Sequence, residues 1–167
     1  VAPVDQAEGL RALQRRWPWI DRERVAIWGW SGGGSMSLNA IFRYPDLYQT
    51  AMAIAFVADQ RLYDTIYQER YMGLPSTNPD GFRDGSPITH AHRLQGNLLL
   101  VYGSGDDNCH YQNCEVLVDE LIRRGKQFDM QVYPNRTHAI REGEGTRRHR
   151  YSTLTRYLTR HVPPGAR

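Results

Sequence analysis

The chain has no run of about 18 apolar residues, so no membrane-crossing helix is expected, and no secretory signal pattern stands at Val1. It has two cysteines, Cys109 and Cys114, five positions apart. That spacing is neither a zinc-ligand pattern nor a redox C-x-x-C, and it leaves open whether the two pair. Neither sign of charge dominates, since the net charge is only +3. The basic cluster Arg147-Arg148-His149-Arg150, with Arg156 and Arg160, falls on a helical pattern and reads as a solvated face. No nucleic-acid motif accompanies it, so nucleic acid is not an expected partner. Internal repeats and low-complexity tracts are absent as well. What remains is a chain of 167 residues, 40% hydrophobic, large enough to bury a core and read most simply as one domain, 1–167.

Short apolar runs alternate with amphipathic ones. Helix is expected over Asp5–Trp17, from Ser35 to about Tyr44, over Leu62–Met72, from Ser86 to about His92, over Tyr111–Arg124 and from about Gly145 to His161. Buried strands are expected over Arg24–Trp28, Gln49–Val57, Asn97–Tyr102 and Phe128–Tyr133. The stretch Gly73–Gly85, with Pro75, Asn78, Pro79 and Gly81, reads as turn-rich and irregular. Strands alternating with helices and lacking hairpin turns predict an α/β fold with a mostly parallel sheet. In such sheets chemistry gathers at the carboxyl ends of the strands.

The most telling residues are Gly29-Trp30-Ser31-Gly32-Gly33, between the first strand pattern and the helix after it. A serine in that corner sits on a sharp turn, and glycines two before and two after it are expected to remove clashing Cβ atoms. The turn exposes the Ser31 hydroxyl and aims the first amides of the helix at whatever it attacks. A phosphate-cradling loop is disfavoured, because the Walker pattern needs a lysine that this turn lacks.

A serine needs a histidine to take its proton and a carboxylate to fix that histidine's tautomer, in the chain order Ser, Asp or Glu, His. Asp106 and Asp107 follow the strand Asn97–Tyr102, and His138 follows the strand Phe128–Tyr133, both at carboxyl ends. Periodicity does not choose between Asp106 and Asp107, and Asp59 is a weaker candidate acid. His90, His92, His110, His149 and His161 compete less well, since of these only His110 follows a strand and it lies beyond the acid. Asn135-Arg136-Thr137 also matches a glycosylation sequon, read as coincidental beside the His138 loop.

These residues, together with Tyr63-Asp64-Thr65-Ile66-Tyr67-Gln68-Glu69-Arg70-Tyr71-Met72-Gly73-Leu74-Pro75 and Gly103-Ser104-Gly105-Asp106-Asp107-Asn108-Cys109-His110-Tyr111-Gln112, resemble the catalytic domains of the dipeptidyl peptidase IV-like branch of the prolyl oligopeptidase family of serine peptidases. The resemblance implies an α/β-hydrolase fold, of which this chain is the C-terminal part. It implies Ser31 as nucleophile, Asp106 as acid, His138 as base and the Gly32 N–H as an oxyanion donor. It further implies a pocket for a small P1 residue such as proline, lined by Val57, Tyr63, Tyr67 and Cys109, with Asn108 holding a substrate carbonyl. No cofactor is implied.

The chain departs from the family pattern at Gly32, where a tyrosine follows the nucleophile, and at Gln60, where a tryptophan stands near the pocket. The P1 preference therefore stays open. In the family a β-propeller and the first strands of the hydrolase sheet precede the elbow, along with a tyrosine that completes the oxyanion hole. None of these is found in this sequence. The chain is accordingly expected to be the C-terminal piece of a longer peptidase, or a fragment completed by another chain, with a second copy as a further candidate partner. Its sheet is expected to show an open apolar edge. The expected substrate is a peptide, from which a dipeptide with Pro- or Ala-like P1 is released through an acyl-enzyme. The alternatives are a carboxylesterase or acyl-peptide hydrolase, or an inactive fragment serving as an interaction module. By resemblance alone, an extracytoplasmic location is expected.

Overall fold

In the computed structural model, which describes residues 2–165, four strands form one sheet in the order β1-β2-β3-β4, all parallel. The strands are β1 (Ala26–Trp30), β2 (Thr50–Ile54), β3 (Asn97–Gly103) and β4 (Asp129–Tyr133). Six α-helices accompany them: α1 (Ala2–Arg16), α2 (Gly32–Arg43), α3 (Thr65–Met72), α4 (Pro79–Gly85), α5 (Gln112–Arg123) and α6 (Thr146–His161). Among the described residues, no helix is long and apolar enough to cross a membrane.

Successive strand side chains point to opposite faces, and both faces are covered. Ala51, Ala53, Leu98, Leu100 and Tyr102 pack with Leu38, Ile41 and Phe42 of α2 and with Leu117 and Leu121 of α5. Met52, Ile54, Leu99 and Val101 face the other way, onto Leu154 and Tyr157 of α6. The two central strands therefore read as continuous apolar runs.

The expected α/β alternation is present, with several boundaries moved. Strand β1 runs to Trp30 rather than Trp28, because Ser31 N continues the ladder to Ile54 O at 2.9 Å. Strand β2 stops at Ile54 rather than Val57, since Ala55 has φ 47° and turns the chain off the sheet. The expected helix Leu62–Met72 begins only at Thr65, after a 3-10 turn over Gln60–Leu62, because the Asp64 carboxylate caps the amides of Ile66 and Tyr67.

The stretch Gly73–Gly85 is not irregular throughout, as it contains α4. There Asn78 accepts a hydrogen bond from Gly81 N, and Pro79 stands at the first helical position. Those turn-forming residues are a helix start. The segment Pro87–Arg93 is 3-10 rather than α-helical, and the Ser86 hydroxyl leaves the cap to donate to Phe82 O at 2.6 Å. Helix α1 already begins at Ala2; its expected apolar face buries Ala7, but Leu13 and Trp17 stay exposed.

Strand β1 is an outer strand of the sheet, hydrogen-bonded to β2 on one side. Trp28, within this outer strand, is 57% exposed. The apolar edge expected from the sequence is present.

Candidate active site

Ser31 is the single residue between β1 and α2, held at φ 56° and ψ −122°. Non-glycine residues rarely adopt a positive φ, and its persistence requires support from the surroundings. The support is the bond from Ser31 N to Ile54 O and the start of α2, where Ser35 N donates to Ser31 O at 3.1 Å. Ser35 Oγ meanwhile accepts from Val57 N at 2.8 Å, tying the elbow to the chain leaving β2.

The glycines act differently from the sequence-based expectation. A Cβ on Gly29 would lie 2.2 Å from the Gly33 carbonyl carbon and oxygen, so Gly29 is required. A Cβ on Gly33 would meet nothing within 4 Å, whereas one on Gly34 would reach Ile54 O at 2.7 Å. The glycine needed after the serine is thus the third, where α2 crosses the end of β2.

Asp106 and His138 come together. His138 Nδ1 lies 2.9 Å from Asp106 Oδ2 and 3.1 Å from Oδ1, and the Asp106 side chain is fully buried. Asp106 Oδ1 also accepts the amides of Asn108 at 3.0 Å and Cys109 at 2.9 Å. These donors offset the cost of burying the carboxyl group, which would be high if it were left unpaired. Asp107 is exposed and makes no such contact. Asp59 is occupied by Arg61 at 2.6 Å and by the Ser86 hydroxyl. Burial raises its pKa, but the Arg61 hydrogen bonds outweigh that and hold it below the ordinary carboxylate value. Of the competing histidines, His149 is taken by Tyr133 OH at 2.9 Å and His90 by Asp84 O.

Ser31 Oγ rests 3.9 Å from Cys109 Sγ, and among the described residues no hydrogen bond joins it to His138. Such a serine–histidine link is commonly long until substrate tightens it. Cys109 and Cys114 are both buried free thiols, so the open question of their pairing closes against a disulfide. Burial pushes Cys109 up to about 11 and Cys114 up to about 12, leaving both as inert thiols at neutral pH.

A cleft of about 700 Å³ opens over Ser31 and Gly32 and is lined by Val57, Gln60, Tyr63 and Tyr67, whereas Cys109, expected beside them, is fully buried behind Ser31 and outside that lining. Tyr63 and Tyr67 meet edge-to-face with centroids 5.5 Å apart, although Tyr63 precedes α3 instead of lying within it. Burial raises the Tyr63 phenol, which stays protonated and donates to Asn108 Oδ1 at 2.9 Å. That contact occupies the amide oxygen and leaves the Asn108 Nδ2 hydrogens for a ligand. A second hollow of about 540 Å³ shares Tyr63 with the first and is lined also by Asn108 and His138.

Several supporting residues escaped the sequence reading. Tyr102 OH donates to Phe56 O at 2.5 Å and to Cys109 O at 3.1 Å. Asn113 Oδ1 accepts from Ala58 N at 3.0 Å, and its Nδ2 donates to Leu62 O at 3.2 Å. Both are buried polar groups inside apolar patterns, a signal that marks a tie between loops without naming its partners. Among the described residues, no group of three or more His, Cys, Asp or Glu side chains could hold a metal ion.

The family model for the prolyl oligopeptidase family matches residues 2–164. The chain is 42% identical over 143 residues to dipeptidyl peptidase 8 of Homo sapiens, covering 84% of this chain and 16% of that protein. It is 43% identical over 141 residues to a probable dipeptidyl-aminopeptidase B of Coccidioides posadasii, covering 82% of this chain and 15% of the relative. Among solved structures, Porphyromonas gingivalis dipeptidyl peptidase 4 superposes with a TM-score of 0.91 at 38% identity, over 96% of this chain and 22% of that one. The chain therefore spans about a sixth of the length of the curated relatives it matches. A parallel sheet with a strained serine between its first strand and helix, and a buried Asp–His pair at the ends of β3 and β4, accords with that match: the chain has an α/β-hydrolase fold and belongs to the prolyl oligopeptidase family.

Proposed function

We propose that this chain is the C-terminal portion of the hydrolase domain of a dipeptidyl peptidase-type serine peptidase, and that it carries the nucleophile, acid and base. The observation that carries this reading is the His138 Nδ1–Asp106 contact of 2.9 Å beside the elbow serine. Asp106 holds the proton on Nδ1, leaving Nε2 as the basic nitrogen. For attack, Ser31 Oγ exchanges its Cys109 contact for His138 Nε2, gives up its proton there and adds to the scissile carbonyl. The Gly32 N–H, first amide of α2, stabilises the oxyanion. His138 protonates the leaving amine, and water then releases the acyl group from Ser31.

The cleft suits a peptide whose P1 side chain is small and flat, because Val57, Tyr63 and Tyr67 offer apolar faces at low polar cost. Asn108 would hold a P2 carbonyl through Nδ2. Gln60 makes one wall polar, and nothing fills the space beside Gly32, so alanine-like P1 residues should be accepted with proline. The remainder of such a peptidase, a β-propeller and the first half of the hydrolase domain, would complete the oxyanion hole and hold the substrate's amino terminus.

A second reading is favoured by the outer position of β1: the elbow stands on the sheet's margin, so catalysis requires those further parts. Hydrolysis of Gly-Pro and Ala-Ala p-nitroanilides and of an acetyl ester, with a fluorophosphonate probe and a Ser31→Ala control, separates the outcomes. Ser31-dependent dipeptide release supports the peptidase reading. Ester cleavage alone would favour an esterase. Labelling without peptide turnover would place the missing function in the parts outside this chain.

A further inference from the structure

Arg150 is a cation to which the described residues offer no anion. It is only 5% exposed, and the described residues pair it with carbonyl oxygens instead of a carboxylate. Its Nη1 donates to Ala139 O and Ile140 O, both at 2.8 Å, while Nε has no partner among the described residues. The guanidinium lies between two rings, 4.5 Å from the Trp30 centroid and 4.6 Å from that of Tyr151. Cation–π contact and charge-assisted hydrogen bonds offset part of the desolvation cost, yet a buried unpaired charge is an expensive way to fill space that methionine or leucine would occupy.

What the cation grips explains its presence. Ala139 and Ile140 are the two residues after His138, and Ile140 is held at φ 44°. A β-branched residue resists that conformation, so the loop keeps it only under restraint. Arg150 supplies the restraint from the far side, through both carbonyls. Its other neighbour, Trp30, directly precedes Ser31 and donates Nε1–H to His138 O at 3.0 Å. The guanidinium packed on the Trp30 ring therefore backs that bond as well. The carbonyls of His138, Ala139 and Ile140 are thus braced, the first through Trp30 and the other two directly, on one buried cation.

We propose that Arg150 is a positioning residue that sets the orientation of His138 towards Asp106 and Ser31. The geometric half of this inference stands on the contacts above, and only its kinetic consequence rests on the reading of His138 as the base.

The test is NMR of the His138 ring in this chain and in Arg150→Met and Arg150→Gln variants, with the signal assigned by its loss in His138→Gln. The expected result is a His138 Nδ1–H resonance in the parent chain, shifted downfield by its bond to Asp106. That resonance should be lost or shifted in both variants, while core methyl signals of β2 and β3 stay in place. A chain carrying Arg150→Met with an unaltered His138 resonance would overturn the proposal. If Arg150→Met does not fold, Arg150→Gln, which keeps a polar, hydrogen-bonding head on a shorter stem, is judged by the same criterion. In a preparation active on dipeptide anilides, the variants should lose kcat by about a hundredfold, the penalty of a roughly 1 Å misplacement, with KM little changed. An unchanged kcat beside a displaced ring would refute the base role of His138 and leave the positioning role intact.

Discussion

Two methyl groups, added four residues apart at the elbow, should act in opposite directions. In Gly29→Ala the new Cβ falls 2.2 Å from both the carbonyl carbon and oxygen of Gly33 and 2.8 Å from its Cα. Carbon atoms prefer separations of about 3.5–4.0 Å, so the two backbones must part by more than about 1 Å. Neither is free to move. Ser31 N is bound to Ile54 O at 2.9 Å, and Gly33 O accepts the Ser37 hydroxyl at 2.9 Å. Overpacking costs about 1–3 kcal/mol where side chains can yield, and the upper end, about 3 kcal/mol, applies where only backbone is in the way. Gly33→Ala meets nothing within 4 Å and lies inside α2, so it should gain about 0.5 kcal/mol from helix propensity.

Urea unfolding checks this pair. With a slope of about 2 kcal/mol/M, the Gly29→Ala midpoint should fall by about 1.5 M and that of Gly33→Ala should rise slightly. Ser31 labelling by a fluorophosphonate should collapse in the first variant and survive in the second. Equal midpoints for Gly29→Ala and the parent chain, or an equal loss in Gly33→Ala, would refute the account of the elbow.

Asp106→Asn should leave the fold nearly intact, because its side-chain oxygen can still accept the amides of Asn108 and Cys109. Its amide would face His138 Nδ1 as a donor and enforce the wrong tautomer, lowering kcat by about 10⁴-fold in an active preparation. Neither Cys109 nor Cys114 should react with a thiol reagent in the native chain at pH 8, since burial pushes them up to about 11 and about 12; stoichiometric native labelling would contradict this. Glu142 is held down to about 2, chiefly by the Thr137 hydroxyl and then by backbone amides. A depressed carboxylate stabilises above its unfolded pKa, so its hold on Thr137 should be complete above about pH 5 and lost as the pH falls towards 2. The amide signals of Thr137 and Arg141 report this, and Glu142→Gln should abolish the transition.

The chain's own pattern settles a good deal. Leu98-Leu99-Leu100-Val101 is apolar on both faces of its strand, so it has to be central in a sheet covered on both sides. Gly29-Trp30-Ser31-Gly32-Gly33 between a strand and a helix has few other uses, and the order of Ser31, Asp106 and His138 matches the strand ends that carry them. These are local facts, set by side-chain periodicity and by which residues tolerate a tight turn.

What only the tertiary structure decided are the relations between distant segments. Asp106 and Asp107 are indistinguishable to periodicity; burial under the His138 loop and the amides of Asn108 and Cys109 single out the first. Which glycines are indispensable depends on what passes close by: Gly29 faces Gly33, and Gly34 faces Ile54. Arg150 looks like one more member of a basic helix face. Only the folding of α6 against Trp30 and the chain after His138 makes it a buried brace, because burial depends on what a residue packs against and no local pattern records that.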